Sequence, residues 1–284
     1  TKNGLHEYTG LRQTRVNFTL NESTAIFGLR FGDAKFIKLL KKNNFDLFCH
    51  HGADVTNYKS ESFNFSKALS TNTKNVVEIL KILKSTCTKL ILTGSIFEGH
   101  EGIGDNCDNA FSAYGLSKQF TFQVFKHFCM NYDIPVAKFV IPNPFGPFEE
   151  FRFTSFLVKS WNKGETPVIK TPDYIRDNIH ISLLSEAYVK FCNEIASGSS
   201  LISKLNPSGY IESQANFTQR FSKQISSRLR MECPFELSVQ TEFIEPIIRI
   251  NYEPALQYIS KWNEVEAWDE LADYYEKYLL KFDK

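Results

Sequence analysis

The sequence predicts an α/β fold built on a parallel sheet with helices on both faces, followed by a smaller C-terminal α/β lobe. Two observations support this prediction. Short apolar runs alternate with longer helical patterns along the first half of the chain, and parallel strands need such helices to return the chain between them. After about residue 147 the pattern changes to helices and short strands with more proline and glycine. We therefore expect one domain over residues 1–147 and a second over residues 148–284.

The individual elements follow from hydrophobic period and residue type. Predicted strands cover residues 7–12, 24–30, 45–51, 89–95 and 135–142. Predicted helices cover residues 34–43, 62–85, 112–131 and 266–282. In the strand "KLILTGS", leucine and isoleucine lead into a polar end, as expected for a buried strand that reaches the edge of a sheet. Together these elements predict a doubly wound parallel sheet.

Composition excludes several classes of protein. The 284 residues include 33 basic and 32 acidic residues, so a net charge of +1 creates no strong field toward nucleic acid or an anionic membrane. The chain has no run of 18 apolar residues, and its start, "TKNGLHEYTG", lacks the apolar region of a signal peptide. Its six cysteines form no C-x-x-C pair, which predicts reduced thiols rather than disulfides or a zinc site. We therefore expect a cytoplasmic protein without a bound metal.

Polar residues follow three of the predicted strands, where ligands bind in open α/β sheets. These groups are residues 50–53 (HHGA), 93–95 (TGS) and 142–147 (PNPFGP). Between the second and third groups lies a helix in which Tyr114 precedes Lys118 by four residues. That spacing puts a phenol and an ammonium on one helix face. Such pairs often arise by chance, so the surrounding motifs decide what this one means.

Six motifs resemble those of the NAD-dependent epimerase/dehydratase family of extended short-chain dehydrogenases/reductases. In chain order they are "FDLFCHHGADV", "NTKNVVEIL", "LTGSIFEG", "AYGLSK", "VIPNPFGP" and "DYIRDNIHI". Each match is weak alone, but their order and approximate spacing follow the family along nearly the whole chain. The arginine that usually precedes the asparagine of the fifth motif is absent. The resemblance implies a Rossmann-like fold, a nicotinamide dinucleotide and a nucleotide-sugar substrate.

The Tyr114/Lys118 pair suits hydride-transfer chemistry. Free tyrosine has a pKa of about 10. An ammonium one turn away and the positive nicotinamide ring both favour the phenolate, so Tyr114 could act as the general base. By resemblance, Lys118 also hydrogen-bonds the nicotinamide ribose.

A hydroxyl from the segment 93–95 would bind the substrate oxygen and orient it toward Tyr114. A gapless match of this segment to the family places Gly94 at the catalytic position. We therefore favour Ser95 as the catalytic hydroxyl and keep Thr93 as the alternative.

The resemblance assigns further contacts around this centre. Cofactor contacts would come from His50, Gly52, Ala53 and Pro142, besides Tyr114 and Lys118. Substrate contacts would come from Ser95, Asn143 and Arg176, the last as a clamp on the diphosphate. Alternatively, Asn143 is a turn residue beside two prolines, and Arg176 forms an exposed ion pair.

The chain lacks the G-x-x-G-x-x-G turn with which the family opens and whose amides cradle the dinucleotide pyrophosphate. "TKNGLHEYTGLR" instead resembles the end of the first helix running into the second strand. We expect that about 20 N-terminal residues, with the first strand and its glycine-rich turn, are missing from this chain. Two alternatives stay open: residues 27–36, with Gly28 and Gly32, form a degenerate glycine turn, or the protein has given up its cofactor.

The choice between NAD and NADP depends on the end of the second strand. NAD enzymes place an acidic residue there for the ribose 2′-hydroxyl, whereas NADP enzymes place basic residues that pair with a phosphate. Arg12 ends the predicted strand 7–12 and Arg15 follows it, and no acidic residue appears after them until Glu22. The sequence thus favours NADP modestly over NAD.

The residues after Ser95 reduce the number of reactions that the sequence is compatible with. The family's 4,6-dehydratases carry an acidic pair directly after the catalytic hydroxyl, whereas Ile96 and Phe97 stand here. Dehydration is therefore disfavoured, and we expect a nucleotide-sugar epimerase or 4-ketoreductase. The alternative is a catalytically silent dinucleotide-sensing or scaffold protein. Family members often pair through the two helices that flank the site, here 62–85 and 112–131, which predicts a homodimer.

Overall fold

A computed structural model gives the fold and describes residues 3–58 and 60–280. The helices that it describes are α1 (Gly10–Leu20), α2 (Ala34–Lys42), α3 (Phe65–Asn72), α4 (Val76–Ser85), α5 (Ala113–Asn131), α6 (Phe153–Asn162), α7 (Ile181–Ser197), α8 (Gln214–Leu229), α9 (Ala255–Ile259) and α10 (Glu264–Tyr274). The strands are β1 (Leu47–His50), β2 (Lys89–Ser95), β3 (Ile103–Gly104), β4 (Val136–Ile141), β5 (Asn143–Phe145), β6 (Val168–Ile169), β7 (Ile175–His180), β8 (Ile202–Leu205), β9 (Pro207–Ser208), β10 (Tyr210–Ser213), β11 (Glu236–Leu237), β12 (Ile248–Ile250) and β13 (Glu253–Pro254).

The chain divides into two units, and the first consists of residues 1–101, 108–140 and 191–205. Its described sheet has the strand order β1-β2-β4-β8. Strand β1 pairs in parallel with β2, and β4 pairs in parallel with β8. The α/β fold class with a parallel sheet is thereby confirmed.

The core of this unit forms because helices α2, α4 and α5 bury apolar side chains against the sheet. Ile79, Leu80 and Leu90 are fully buried. Burying one such side chain contributes about 1.5–3 kcal/mol relative to leaving it exposed. The buried set is Ile37, Leu40, Val76, Ile79, Leu80, Ile82, Leu83, Leu90, Leu92, Phe122, Phe125, Cys129, Ile134 and Val136.

Lys89, at the start of β2, connects segment 191–205 of this unit to the sheet by hydrogen bonds. The Lys89 ammonium donates hydrogen bonds to the carbonyls of Ile195, Ala196 and Gly198 at distances of 3.0, 2.7 and 2.6 Å. These carbonyls lie at and beyond the C-terminal end of α7, where helix carbonyls lack intrahelical partners. A cation at this end is favourable for the helix dipole.

The second unit consists of residues 102–107, 141–190 and 206–284, of which 281–284 lie outside the described residues. Its main sheet has the order β10-β7-β12-β3, and β5 pairs in parallel with β7. Strand β7 pairs in parallel with β12 and antiparallel with β10, so this sheet is mixed. Its core is rich in aromatic residues, among them Phe145, Phe221 and Trp268.

Two predicted strands near the N-terminus are wrong. Residues 7–12 contain part of α1 instead, which starts at Gly10 with a left-handed φ of 54°. Residues 24–30 form no strand, and Gly28 interrupts them with a φ of 66°. An extended segment needs regular β dihedrals and a neighbouring strand for its backbone hydrogen bonds, and these left-handed glycines break the regularity.

The predicted helix 62–85 is two helices, α3 and α4. Asn75 separates them in the left-handed conformation, with a φ of 53°, which asparagine tolerates better than most residues. Its side-chain amide donates to the carbonyl of Gly32 at 2.8 Å. Residues 70–75 contain no apolar side chain, so the apolar positions that predicted a helix here all belong to α4.

The other predicted elements agree with the structure within a few residues. The predicted helix 266–282 corresponds to α10, followed by a π-helical turn at Tyr275–Leu279, and its last two residues lie outside the described part of the chain. None of the helices described for residues 3–58 and 60–280 is both long and apolar enough to cross a bilayer. The same residues contain no group of three His, Cys, Asp or Glu side chains that could hold a metal ion.

Candidate active site

Helix α5 begins next to the end of strand β2. The Ser112 hydroxyl caps the helix by accepting a hydrogen bond from the Gly115 amide at 3.1 Å. A Cβ atom at Gly115 would lie 2.0 Å from the carbonyl oxygen of Phe97, so only glycine allows this close approach. The helix start is therefore pressed against the turn that follows Ser95, and Tyr114 and Lys118 lie in its first two turns.

Lys118 is a buried ammonium. It is 7% exposed, and its Nζ donates to the backbone carbonyl of Thr93. Burial lowers the pKa of Lys118, the negative charge of Glu98 counteracts this, and the positive charge of Lys138 adds to it. The structure thus joins Lys118 to the predicted segment 93–95 through a main-chain contact.

Tyr114 is half-buried among aromatic rings from the loop between β1 and α3. Its ring centroid lies 5.4 Å from that of Tyr58 and 6.1 Å from that of Phe63, the latter edge to face. Phe63 is buried, so this wall is fixed by packing. These aromatic contacts restrict the orientation of the Tyr114 ring.

The two candidate hydroxyls differ in exposure. Thr93 is buried, whereas Ser95 is half-buried and its Oγ accepts a hydrogen bond from the Phe97 amide at 3.3 Å. Gly94 stands between them, and a Cβ there would lie 2.6 Å from Cε of Lys138. A side chain at position 94 would therefore collide with this lysine.

Sequence reasoning missed a buried ion-pair cluster beside these residues, formed by Glu98, Lys138, Glu101 and Lys204. Lys138 Nζ lies 2.5 Å from Glu98 Oε2 and 2.6 Å from Glu101 Oε1, and Lys204 reaches Glu101 at 3.2 Å. Burial raises the pKa of Glu98, while the charges of Lys138 and Lys118 lower it. A lysine within the otherwise apolar strand "VAKFVI" was the available signal, since a buried lysine requires a charged partner.

His50 is packed at the end of β1. Its ring stacks on Phe31 with a centroid distance of 4.4 Å, and its Nε2 lies 3.3 Å from the carbonyl oxygen of Asn72. Burial, and then the charge of Lys118, lower the pKa of His50 to about 4. A Cβ at Gly52 would lie 2.6 Å from Cε1 of this ring, so the HHGA segment, with Ala53 next in the loop, folds closely over His50.

Arg12 and Arg15 do not follow a strand. Both lie on α1, so the structural reason for preferring NADP is wrong. The loop with Gly28 and Gly32 is not open to a ligand at Gly32, because this glycine packs against the backbone of Lys74. A Cβ at Gly32 would lie 2.3 Å from the carbonyl oxygen of Lys74, which shows that this glycine allows close backbone packing.

The remaining predicted contact residues belong to the second unit. Pro142 is buried, and the Asn143 side-chain amide donates to the carbonyl of Asp177 at 3.2 Å. Arg176 is 7% exposed, so it is not an exposed ion pair. Its Nη1 donates to the carbonyls of Ile175, Pro246 and Ile247, and its Nη2 donates to Glu245 at 2.9 Å.

A parallel sheet with helices packed on it, and a helix that begins at the end of a central strand, are typical of nucleotide-binding α/β proteins. The family model described as the NAD dependent epimerase/dehydratase family matches residues 2–202. The chain therefore belongs to this family of enzymes. A search of curated proteins finds no match.

Solved structures with the same fold include epimerases and a dehydratase. The UDP-glucose-4-epimerase of Stenotrophomonas maltophila, with bound NAD and formylated UDP-arabinopyranose, has a TM-score of 0.71 and 13% identity over 95% of this chain and 88% of that one. The UDP-N-acetylglucosamine 4-epimerase of Methanobrevibacter ruminantium M1, in complex with UDP-N-acetylmuramic acid, has a TM-score of 0.66 and 17% identity. The match covers 89% of this chain and 83% of that one. The dTDP-glucose 4,6-dehydratase of Streptomyces venezuelae has a TM-score of 0.69 and 11% identity, and the match covers 94% of this chain and 85% of that one. At these identities the likeness concerns the fold.

Proposed function

We propose that this protein is an NAD-dependent nucleotide-sugar epimerase or 4-ketoreductase in which Tyr114 and Lys118 carry out the proton chemistry. The observation that carries the proposal is the buried ammonium of Lys118, one helical turn from Tyr114 and hydrogen-bonded to the end of β2. Burying a lysine costs free energy, and buried titratable groups of this kind cluster at functional sites.

The residues present fit the nicotinamide-ribose end of the dinucleotide. An ammonium has three N–H donors, and among the described residues Lys118 donates to a single acceptor, the carbonyl of Thr93. The other donors can therefore bind ribose hydroxyls. NAD, when bound, supplies the hydride acceptor and donor beside these side chains. We assign NAD rather than NADP because the family is described as NAD dependent.

Each catalytic residue has a distinct task. Tyr114, as the phenolate, accepts the proton from the sugar hydroxyl at the carbon that loses its hydride. Lys118 stabilises this phenolate through its positive charge. Ser95 donates a hydrogen bond to the substrate oxygen and orients it, with Thr93 as the alternative hydroxyl. His50, Gly52 and Ala53 form the wall of the cofactor site.

A nucleotide-sugar is the substrate class that we propose, because the similar structures carry UDP-sugars or a related nucleotide. Asn143 and Arg176 are the residues that we expect to contact it. To bind a diphosphate, the Arg176 guanidinium has to exchange Glu245 for the ligand, since its Nη2 donates to that carboxylate. Dehydration stays disfavoured, since Ile96 and Phe97 follow Ser95 and Glu98 is held in an ion pair.

The test uses purified protein, NAD and a set of UDP-sugars. An epimerase converts one UDP-sugar into its 4-epimer without net change in reduced nicotinamide, whereas a reductase consumes reduced nicotinamide with a 4-keto sugar. A Tyr114→Phe variant should lose about 10²–10⁴-fold in kcat in either assay. Tyr132→Phe, at the opposite end of the same helix, is the matched control and should keep wild-type activity. Equal activity of Tyr114→Phe and wild type would refute both enzyme assignments.

A catalytically silent protein of the same fold is the second candidate, and Gly94 favours it. This residue stands where the family match expects the catalytic hydroxyl. A silent protein would bind dinucleotide or UDP-sugar, measured by calorimetry, and show no turnover with any sugar of the set.

We also propose a homodimer formed through α3, α4 and α5. Phe120 and Met130 on α5 are 46% and 47% exposed, so α5 leaves large apolar side chains on its surface that a second copy of the chain could cover. Analytical ultracentrifugation should give a dimer, and Phe120→Glu should shift it to monomer.

A further inference from the structure

Glu98 is a fully buried carboxylate that the proposed chemistry does not use. Its side chain has 0% exposure, and it lies in the turn directly after β2. Oε1 accepts a hydrogen bond from the Ser95 amide at 2.8 Å, and Oε2 accepts one from Lys138 at 2.5 Å. One carboxylate therefore binds both the candidate catalytic segment and the neighbouring strand β4.

Among the described charged groups around Lys118, Glu98 is the one that favours the ammonium form. The charged and titratable groups that act on Lys118 or are acted on by it are Glu98, Lys138, His50 and His51. Glu98 is the negative one among these, because the histidines are neutral or positive and Lys138 repels. Without Glu98, the buried ammonium of Lys118 would have the carbonyl of Thr93 as its hydrogen-bond acceptor and three cationic or neutral neighbours, Lys138, His50 and His51.

Glu101 provides an internal comparison. It is also buried and binds the same Lys138 ammonium, at 2.6 Å. Its second oxygen faces Lys204 at 3.2 Å rather than the amide of Ser95. Glu98 and Glu101 therefore share a lysine and a cluster but differ in their other partner: Glu98 binds the Ser95 amide, whereas Glu101 binds Lys204.

We propose that Glu98 is a positioning residue of the active site: its carboxylate holds the Ser95 amide, and thereby fixes the end of β2 to which the Lys118 ammonium also binds through the carbonyl of Thr93. Through Lys118 it acts on Tyr114, and through the Ser95 amide it sets the direction of the candidate hydroxyl. This inference rests on the proposed roles of Tyr114 and Lys118.

The first experiment measures Lys118 directly and needs no substrate. The pKa of the Lys118 ammonium is followed by NMR of the lysine Cε and Nζ signals, and the Lys118 signal is identified by its loss in Lys118→Met. Glu98→Gln should move this pKa downward, because it removes a charge that favours the ammonium and keeps the shape of the side chain. Glu101→Gln, the matched control, should leave it in place. An equal effect of both variants, or none from Glu98→Gln, overturns the proposal.

The second experiment uses turnover. In Glu98→Gln the alkaline limb of the kcat profile should move to lower pH, since Lys118 loses its proton earlier, while KM for the sugar changes little. In Glu101→Gln the limb should stay at its wild-type pH. If wild type has no turnover, the proposed function fails while the NMR titration still tests the link between Glu98 and Lys118.

A second variant covers the case in which Glu98→Gln does not fold because Lys138 loses a partner. Glu98→Gln combined with Lys138→Met removes the pair together and leaves no new unpaired charge beside it. The pKa of Lys118 should again fall, by less than in the single variant, because the repulsion from Lys138 is also gone. The pKa of Lys118 in the double variant should also lie below that in Lys138→Met alone, and equal values in these two variants contradict the proposal.

Discussion

A Cβ atom at Gly94 would lie 2.6 Å from Cε of Lys138, so these two residues exclude a side chain from the position that the family match gives to the catalytic hydroxyl. Lys138 cannot move aside easily, because Glu98 and Glu101 hold its ammonium at 2.5 and 2.6 Å. The glycine is thus explained by packing with the buried ion-pair cluster, and in the proposed mechanism the hydroxyl comes from a neighbouring residue.

Substituting Gly94 tests this packing. Gly94→Ala should lower the free energy of unfolding by about 1–3 kcal/mol, the usual cost of forcing a methyl group into a filled core. Chemical denaturation measures it. Ser95→Ala, which adds no volume one residue away, should cost clearly less. A Gly94→Ala variant as stable as wild type would mean that Lys138 adapts without cost.

The identity of the catalytic hydroxyl is tested by two single substitutions. Ser95→Ala should lower kcat by about 10²–10³-fold, as expected for loss of a hydrogen bond made to the reacting oxygen. Thr93→Val should keep most of the activity, because Thr93 is buried and its contact with Lys118 uses the main chain. Steady-state kinetics of both variants decides the matter, and the reverse order of effects would assign Thr93 instead.

Lys118 should show opposite effects on stability and function. Lys118→Met removes a buried charge, and Glu98 keeps its partner Lys138. The free energy of unfolding should therefore stay within about 1 kcal/mol of wild type or rise, since burial disfavours the Lys118 ammonium and an apolar side chain of similar length removes this penalty. Turnover and NAD affinity should fall. Strong destabilisation with intact NAD affinity would identify Lys118 as purely structural.

Acid should destabilise the second unit through His180. This side chain is 1% exposed, and burial lowers the pKa of His180 to about 4. The unfolded chain binds the proton near pH 6.5, so the stabilisation is complete above that pH and is lost as the pH falls toward 4. The full effect is about 3 kcal/mol, from 1.36 kcal/mol per pH unit.

The measurement compares wild type with His180→Met. Their difference in unfolding free energy should shrink between pH 7 and pH 4. Using the difference cancels the opposite contribution of Asp177, whose pKa burial raises to about 7. A difference that does not vary with pH would mean that His180 takes up its proton in the folded state as readily as in the unfolded chain.

The sequence predicted an element correctly where one regular hydrophobic pattern covers the whole of that element. Helix α5 and strand β2 have long, unambiguous patterns, and the spacing of Tyr114 and Lys118 fixed their common face. Residues 7–12 were too short a run to separate strand from helix, and the left-handed conformation of Gly10 is invisible in the pattern.

The ion-pair cluster was out of reach for a different reason. Glu98 and Lys138 lie 40 residues apart, and their pairing depends on which strands are neighbours. One sequence without that topology offers only a lysine in an apolar strand. Arg12 and Arg15 illustrate the converse, because their assignment depended wholly on a strand that the structure replaces with α1.

The path of the first unit has a consequence for biosynthesis. Its last piece, residues 191–205, supplies strand β8 and the carbonyls that Lys89 binds. A chain emerging from the ribosome up to residue 140 therefore exposes one side of β4 and an unpaired Lys89. The unit can close only after the whole of segment 141–190 of the other unit has been synthesised, so nascent chains stalled within 141–190 should be the protease-sensitive and chaperone-bound species.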